Sequence, residues 1–76
     1  MDEVRGRKHL AQVDQHIAKL NTRIAQQREM VERMIKAGHS SEVAESMLMT
    51  LEESLRVMTR RRESILWNLN KGAATE

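Results

Sequence analysis

The sequence predicts an all-α fold, an antiparallel two-helix coiled-coil hairpin that dimerises to a four-helix bundle. The 76 residues contain no Pro and are rich in Ala, Leu, Met, Glu, Gln, Lys and Arg, which favour helix. Apolar residues recur at alternating steps of three and four in two separate stretches, and a short glycine-containing segment divides them. Two such repeats joined by a short connection favour helices that pack side by side in opposite directions.

The first helix is predicted over residues 3–37. Its apolar series consists of Leu10, Val13, Ile17, Leu20, Ile24, Val31 and Met34. A repeat sustained over several heptads is typical of coiled-coil packing rather than of a merely amphipathic surface. Gln27 is the one polar member of the series, and a polar residue at such a position commonly fixes register and oligomeric state.

The turn is predicted over residues 38–40. Gly38 can adopt the left-handed conformation that closes a helix. Ser41 is a good N-cap, whose hydroxyl we expect to accept a hydrogen bond from a free amide of the next turn. Glu42 and Glu45 place negative charge at the positive end of the second helix. The shortness of the turn predicts antiparallel helices.

The second helix is predicted over residues 41–71. Its apolar series consists of Ala44, Leu48, Leu51, Leu55, Met58, Ile65 and Leu69. Arg62 is the polar member, and we expect it to reach the edge of the seam and pair with Asp14, because burying an unpaired guanidinium is costly. Matching the two series across the turn places Gln27 beside Leu51. Gly72 is predicted to end the helix, leaving a frayed tail over 72–76.

A partner surface is expected, because one hairpin offers little apolar surface to bury for its length. The partner would be a second copy or another protein. The predicted interface consists of Ala11, Ala18, Ala25, Met30, Met34, Ile35, Met47, Leu66 and Trp67. The three alanines repeat every seven residues and would let a second helix approach closely, although alanine is also the best surface helix former.

Several classes of function are disfavoured by the composition. The chain has no Cys, which excludes a disulfide scaffold and a thiolate metal site. His9 and His16 share a helix face but lie about 10.5 Å apart, too far to bind one metal ion. We therefore expect no catalytic residue, cofactor, metal or small-molecule substrate, and a protein that is not an enzyme. Apolar runs are short and no apolar leader is present, which predicts no membrane association and a cytoplasmic location.

The alternative hypothesis is a small basic nucleic-acid-associated protein. Arg60, Arg61 and Arg62 form a cluster that could contact phosphates. Against this, 13 Lys and Arg oppose 11 Asp and Glu, which leaves a net charge of only +2. Pairs at i,i+4 spacing also neutralise charge locally. These predicted pairs are Glu3–Arg7, Glu29–Arg33, Glu32–Lys36 and Glu52–Arg56.

The turn and the second helix resemble a group of small uncharacterised bacterial helical-hairpin proteins with a Gly-His turn. The pattern comprises Gly38-His39, an Ala-Glu-x-x-Leu start at Ala44, and a Thr-Leu-Glu-x-x-Leu centre at Thr50. The resemblance covers the turn and most of the second helix. It implies a hairpin and a bacterial cytoplasmic setting, without implying an activity.

Overall fold

The computed structural model describes residues 3–74, with the side chains of residues 3–71, and contains two helices. Helix α1 spans Glu3–Lys36 and helix α2 spans Glu42–Ala74. They pack along their length as a hairpin of 61 × 14 × 13 Å. The prediction of an all-α hairpin is therefore confirmed for the single chain.

The end of α2 differs from the predicted boundary at residue 71, because α2 continues through Gly72 to Ala74. A glycine inside a helix costs only about 1 kcal/mol relative to alanine, and no proline follows to stop the helix. The predicted frayed tail is thus helical as far as Ala74. Residues 75 and 76 lie outside the described residues.

The core is a single line of side chains between the helices, and its apolar members belong to the two predicted series. The buried residues of α1 include Val13, Leu20, Ile24 and Val31, and those of α2 are Ala44 and Ile65. Gly6 is also buried, four residues before Leu10, and it extends the α1 series by one step. No described side chain is less than 2% exposed, because each helix has only one neighbour.

The turn closes α1 with a Schellman motif. Gly38 has a φ of 75°, the left-handed conformation that was predicted. The His39 amide donates to the Met34 carbonyl at 2.9 Å, and the Gly38 amide donates to the Ile35 carbonyl at 3.1 Å. These two bonds satisfy carbonyls at the end of α1 and reverse the chain direction.

Helix α2 begins after Ser41, whose carbonyl accepts the Glu45 amide at 2.8 Å. The Ser41 hydroxyl acts differently from the prediction. It donates to the Glu45 carboxylate at 3.2 Å instead of accepting a backbone amide. The carboxylate is thereby held in the first turn of α2, where negative charge favours the helix dipole.

Three polar contacts join α1 to α2 at increasing distance from the turn, and they help to set the register of the two helices. Arg28 contacts Glu52 at 3.3 Å, and Arg62 Nε donates to Asp14 Oδ1 at 2.6 Å, which confirms the predicted pairing of Arg62. Gln27 Nε2 donates to the Ala44 carbonyl at 2.9 Å. The sequence placed Gln27 beside Leu51, and the two residues line the same groove. The Gln27 amide reaches toward the turn and bonds in the first turn of α2.

Candidate interaction surface

The two long sides of the hairpin differ in their chemistry. One side, termed the groove side, contains a groove lined by both helices. Its lining residues are Arg23, Gln26, Gln27, Met30, Ser46, Met47, Thr50 and Leu51. The other side, termed the ion-pair side, carries the Arg28–Glu52 and Arg62–Asp14 contacts. Arg23 and Arg28 are separated by about 140° around α1, so they flank the core line at opposite edges.

Two of the predicted interface residues are brought together on the groove side. Met30 and Met47 line the same groove and are 44% and 54% exposed. Met34 lies half-buried at the turn end of the core line. A flexible thioether side chain adapts to irregular surfaces, so the two exposed methionines suit contact with another molecule.

The remaining predicted interface residues lie elsewhere. Ala25 is about 140° from Met30 around α1, so one partner helix cannot cover both residues. Ala11, Ala18 and Ala25 form one exposed row on the outer surface of α1, termed the Ala row. By the same geometry, Ile35 and Leu66 belong to the ion-pair side, at its two ends. The predicted set therefore forms several separate surfaces.

Trp67 lies on the outer surface of α2 and is 59% exposed. The Lys71 ammonium is 4.9 Å from the centroid of its ring, within the range of a cation–π interaction. This contact joins residues one turn apart on the same helix. It stabilises the end of α2 locally.

Helix α2 carries a second series beside its core series, of which the sequence interpretation named only Met47. It consists of Val43, Met47, Thr50, Ser54 and Val57, and is termed the outer stripe. Each member precedes one residue of the core series, so the stripe runs along the groove-side edge of α2. Val43 and Val57 are 76% and 43% exposed. The spacing of four, three, four and three residues was the signal that could have revealed it.

Charge is segregated between the sides of the hairpin. The groove-side positions are His9, Gln12, His16, Lys19, Arg23, Gln26, Met30 and Arg33 of α1, and Val43, Met47, Thr50, Ser54, Val57, Arg61, Ser64 and Asn68 of α2. Several of these residues are basic and none is acidic. The acidic residues of 5–71 occupy the ion-pair side and the outer surfaces. The net charge of +2 therefore conceals a basic groove side.

The predicted phosphate contacts point in different directions. Consecutive helical residues are about 100° apart, so Arg60, Arg61 and Arg62 cannot face one phosphate together. Arg60 is exposed on the outer surface and Arg61 on the groove side. Arg62 is bound to Asp14 on the ion-pair side. The cluster in sequence is thus dispersed in space.

The local ion pairs agree only in part with the predicted ones. Arg7 contacts Glu3 at 2.7 Å, as predicted. Arg56 pairs with Glu53 rather than Glu52, and its Nε donates to Glu53 Oε2 at 3.0 Å. This hydrogen bond, together with the charge of Arg56, lowers the pKa of the Glu53 carboxyl. The same bond, together with the charge of Glu53, raises the pKa of the Arg56 guanidinium. Glu52 is free to contact Arg28 across the helices.

The described part of the chain carries neither a metal-binding cluster nor a membrane-spanning helix. Its His, Asp and Glu side chains form no group of three or more that could bind a metal ion. Neither helix has the length of apolar sequence needed to cross a membrane.

Comparison with known proteins adds no relative. No protein-family model matches the sequence, and neither a curated protein nor a solved structure matches it significantly. The resemblance to small bacterial helical-hairpin proteins gains no support from these comparisons. The candidate surface rests on the geometry of the hairpin.

Proposed function

We propose that this protein is a non-enzymatic interaction module that forms a homodimer, in which two hairpins build a four-helix bundle. The observation that carries the proposal is the combination of a thin core with exposed apolar side chains. Met30, Val43 and Met47 are 44%, 76% and 54% exposed, near the turn end of the molecule. Apolar residues clustered at one end of a surface are typical of an interface.

A second hairpin would complete the burial that one hairpin leaves unfinished. A helix in a four-helix bundle has two close neighbours, whereas each helix here has one. Helix α2 has a core series that faces α1 and the outer stripe along its groove-side edge, as expected for a helix with two neighbours. A bacterial cytoplasm is the setting that we propose, from the resemblance and the lack of cysteine.

Sedimentation equilibrium over a wide concentration range tests the proposal, with helicity followed by circular dichroism. We expect a dimer whose helix content falls on dilution as it dissociates. A monodisperse, fully helical monomer at high concentration would contradict the proposal. A poorly helical monomer would also contradict it and would point to a different protein as the partner.

Nucleic-acid binding is the second candidate, and the basic groove side is the observation that favours it. Arg23, Lys19 and Arg61 lie there without neighbouring carboxylates on that side. Binding of labelled duplex DNA and RNA would be measured against salt concentration, with Lys19, Arg23 and Arg61 each replaced by Gln. A steep salt dependence that these substitutions reduce would favour this candidate. Insensitivity to them would count against it.

A further inference from the structure

We propose that the outer stripe is the dimer surface, so that α2 of one hairpin packs antiparallel against α2 of a second copy. The twofold axis would pass between Thr50 and Ser54. This inference rests on the proposed homodimer and specifies which of the exposed surfaces forms it. The second copy is inferred from the self-complementary order of side-chain sizes and charges along the stripe.

The sizes of the four side chains from Met47 to Val57 match when this part of the stripe is reversed on itself, and Val43 would lie opposite Arg61 of the second copy. Small side chains, Thr50 and Ser54, lie at the centre and would let the two helices approach closely. Moving outward, Met47 would pack against Val57 of the second copy, and the same contact would recur on the other side of the axis. A twofold interface requires this reciprocity, because each contact must occur twice.

The charges at the ends of the stripe match in the same arrangement. Glu42 precedes the stripe, and Arg60 and Arg61 follow it. Within residues 3–71, none of these three side chains has an oppositely charged group at ion-pair distance. Antiparallel packing would bring Glu42 close to Arg60 and Arg61 of the second copy, at both ends. Parallel packing would place like charges together and is disfavoured.

One acidic residue lies beside the proposed axis. Glu53 would approach its own copy there, which is unfavourable for two carboxylates. Its charge is offset by Arg56, which hydrogen-bonds to it within the same helix. The Ala row offers a competing surface, but it contains only small side chains and no exposed apolar residue to bury between its alanines.

The first test places a charge at the centre of the stripe. Thr50→Arg is compared with Met49→Arg, since both residues are exposed neighbours on α2 but only Thr50 belongs to the stripe. We expect Thr50→Arg to weaken dimerisation roughly 100-fold or more and Met49→Arg to change it by less than about threefold. Circular dichroism at concentrations high enough to restore the dimer would show that each variant retains the helix content of the wild type.

A third variant, Ala18→Arg, distinguishes failure of the outer stripe as the dimer surface from failure of the homodimer itself. A wild-type dimer that Ala18→Arg dissociates and Thr50→Arg leaves intact would overturn the outer stripe while leaving the homodimer in place. A wild-type chain that stays monomeric would overturn both proposals. A dimer dissociated by Thr50→Arg alone would support the outer stripe.

The second test exchanges the charges at the ends of the stripe. We expect Glu42→Arg and Arg61→Glu each to weaken dimerisation roughly tenfold, because each creates like-charge contacts. The double variant restores opposite charges across the axis and should recover most of the affinity. Losses that simply add in the double variant would overturn the antiparallel arrangement.

Discussion

Gln27 is the one buried polar side chain in the described part of the chain, and its amide bonds to a backbone carbonyl of the other helix. Gln27→Ala should lower the free energy of unfolding by about 1–3 kcal/mol, because it removes this bond and leaves a cavity. Gln27→Leu should be as stable as the wild type, since it fills the space with apolar surface. Urea unfolding measures both, and equal losses in the two variants would show that the hydrogen bond outweighs packing.

Gly38 is the residue whose backbone conformation reverses the chain. Gly38→Ala should destabilise the hairpin by about 1 kcal/mol, because an alanine is strained at positive φ. An added Cβ would meet no atom within 4 Å, so the cost would come from the backbone alone. Urea unfolding compares it with Ser40→Ala, an exposed control in the same turn. An unchanged midpoint would contradict the assignment of the turn.

At the scale of the element, the Glu53–Arg56 pair gives α2 a dependence on pH. The pKa of Glu53 is lowered from 4.5 in the folded chain. The ionised Glu53 carboxylate therefore contributes its full stabilisation above pH 4.5. The effect is lost as the pH falls through the lower folded-state pKa. Thermal unfolding between pH 2 and pH 6 should show a smaller acid destabilisation for Glu53→Gln. The exposed Glu29→Gln is the control, and identical profiles for Glu53→Gln and wild type would refute the role of this pair.

The helices and their facing edges could be predicted from sequence, because the steps of three and four residues follow directly from helix geometry. Gly6 could not, since glycine has no apolar side chain to mark a buried position. The end of α2 could not either, because Gly72 only weakens a helix and does not stop it. The predicted interface combined residues from several sides of the hairpin. Whether Met30 and Ala25 lie on the same side depends on where α2 packs against α1. The outer stripe was missed because Thr50 and Ser54 interrupt its apolar character.

At the scale of the whole molecule, the position of the proposed axis predicts the length of the dimer. The hairpin is 61 Å long, and an axis between Thr50 and Ser54 lies nearer the turn than its middle. Two copies would therefore be staggered, and the dimer should be about 20 Å longer than one hairpin. Pairing through Ala18, near the middle of α1, would keep the length close to that of one hairpin. Small-angle X-ray scattering of the dimer distinguishes the two lengths.

The segregation of charge also gives the hairpin a transverse electric dipole. The backbone of the hairpin spans only 14 × 13 Å in cross-section, so its basic and acidic surfaces lie close together. At about 0.15 M salt, screening over about 8 Å weakens the attraction between separate rods. At about 0.01 M salt, where screening extends to about 30 Å, the dipoles of neighbouring rods act on each other before contact. Dilute buffer should therefore favour side-by-side association of the hairpins. The net charge of +2 alone would predict weak repulsion between them.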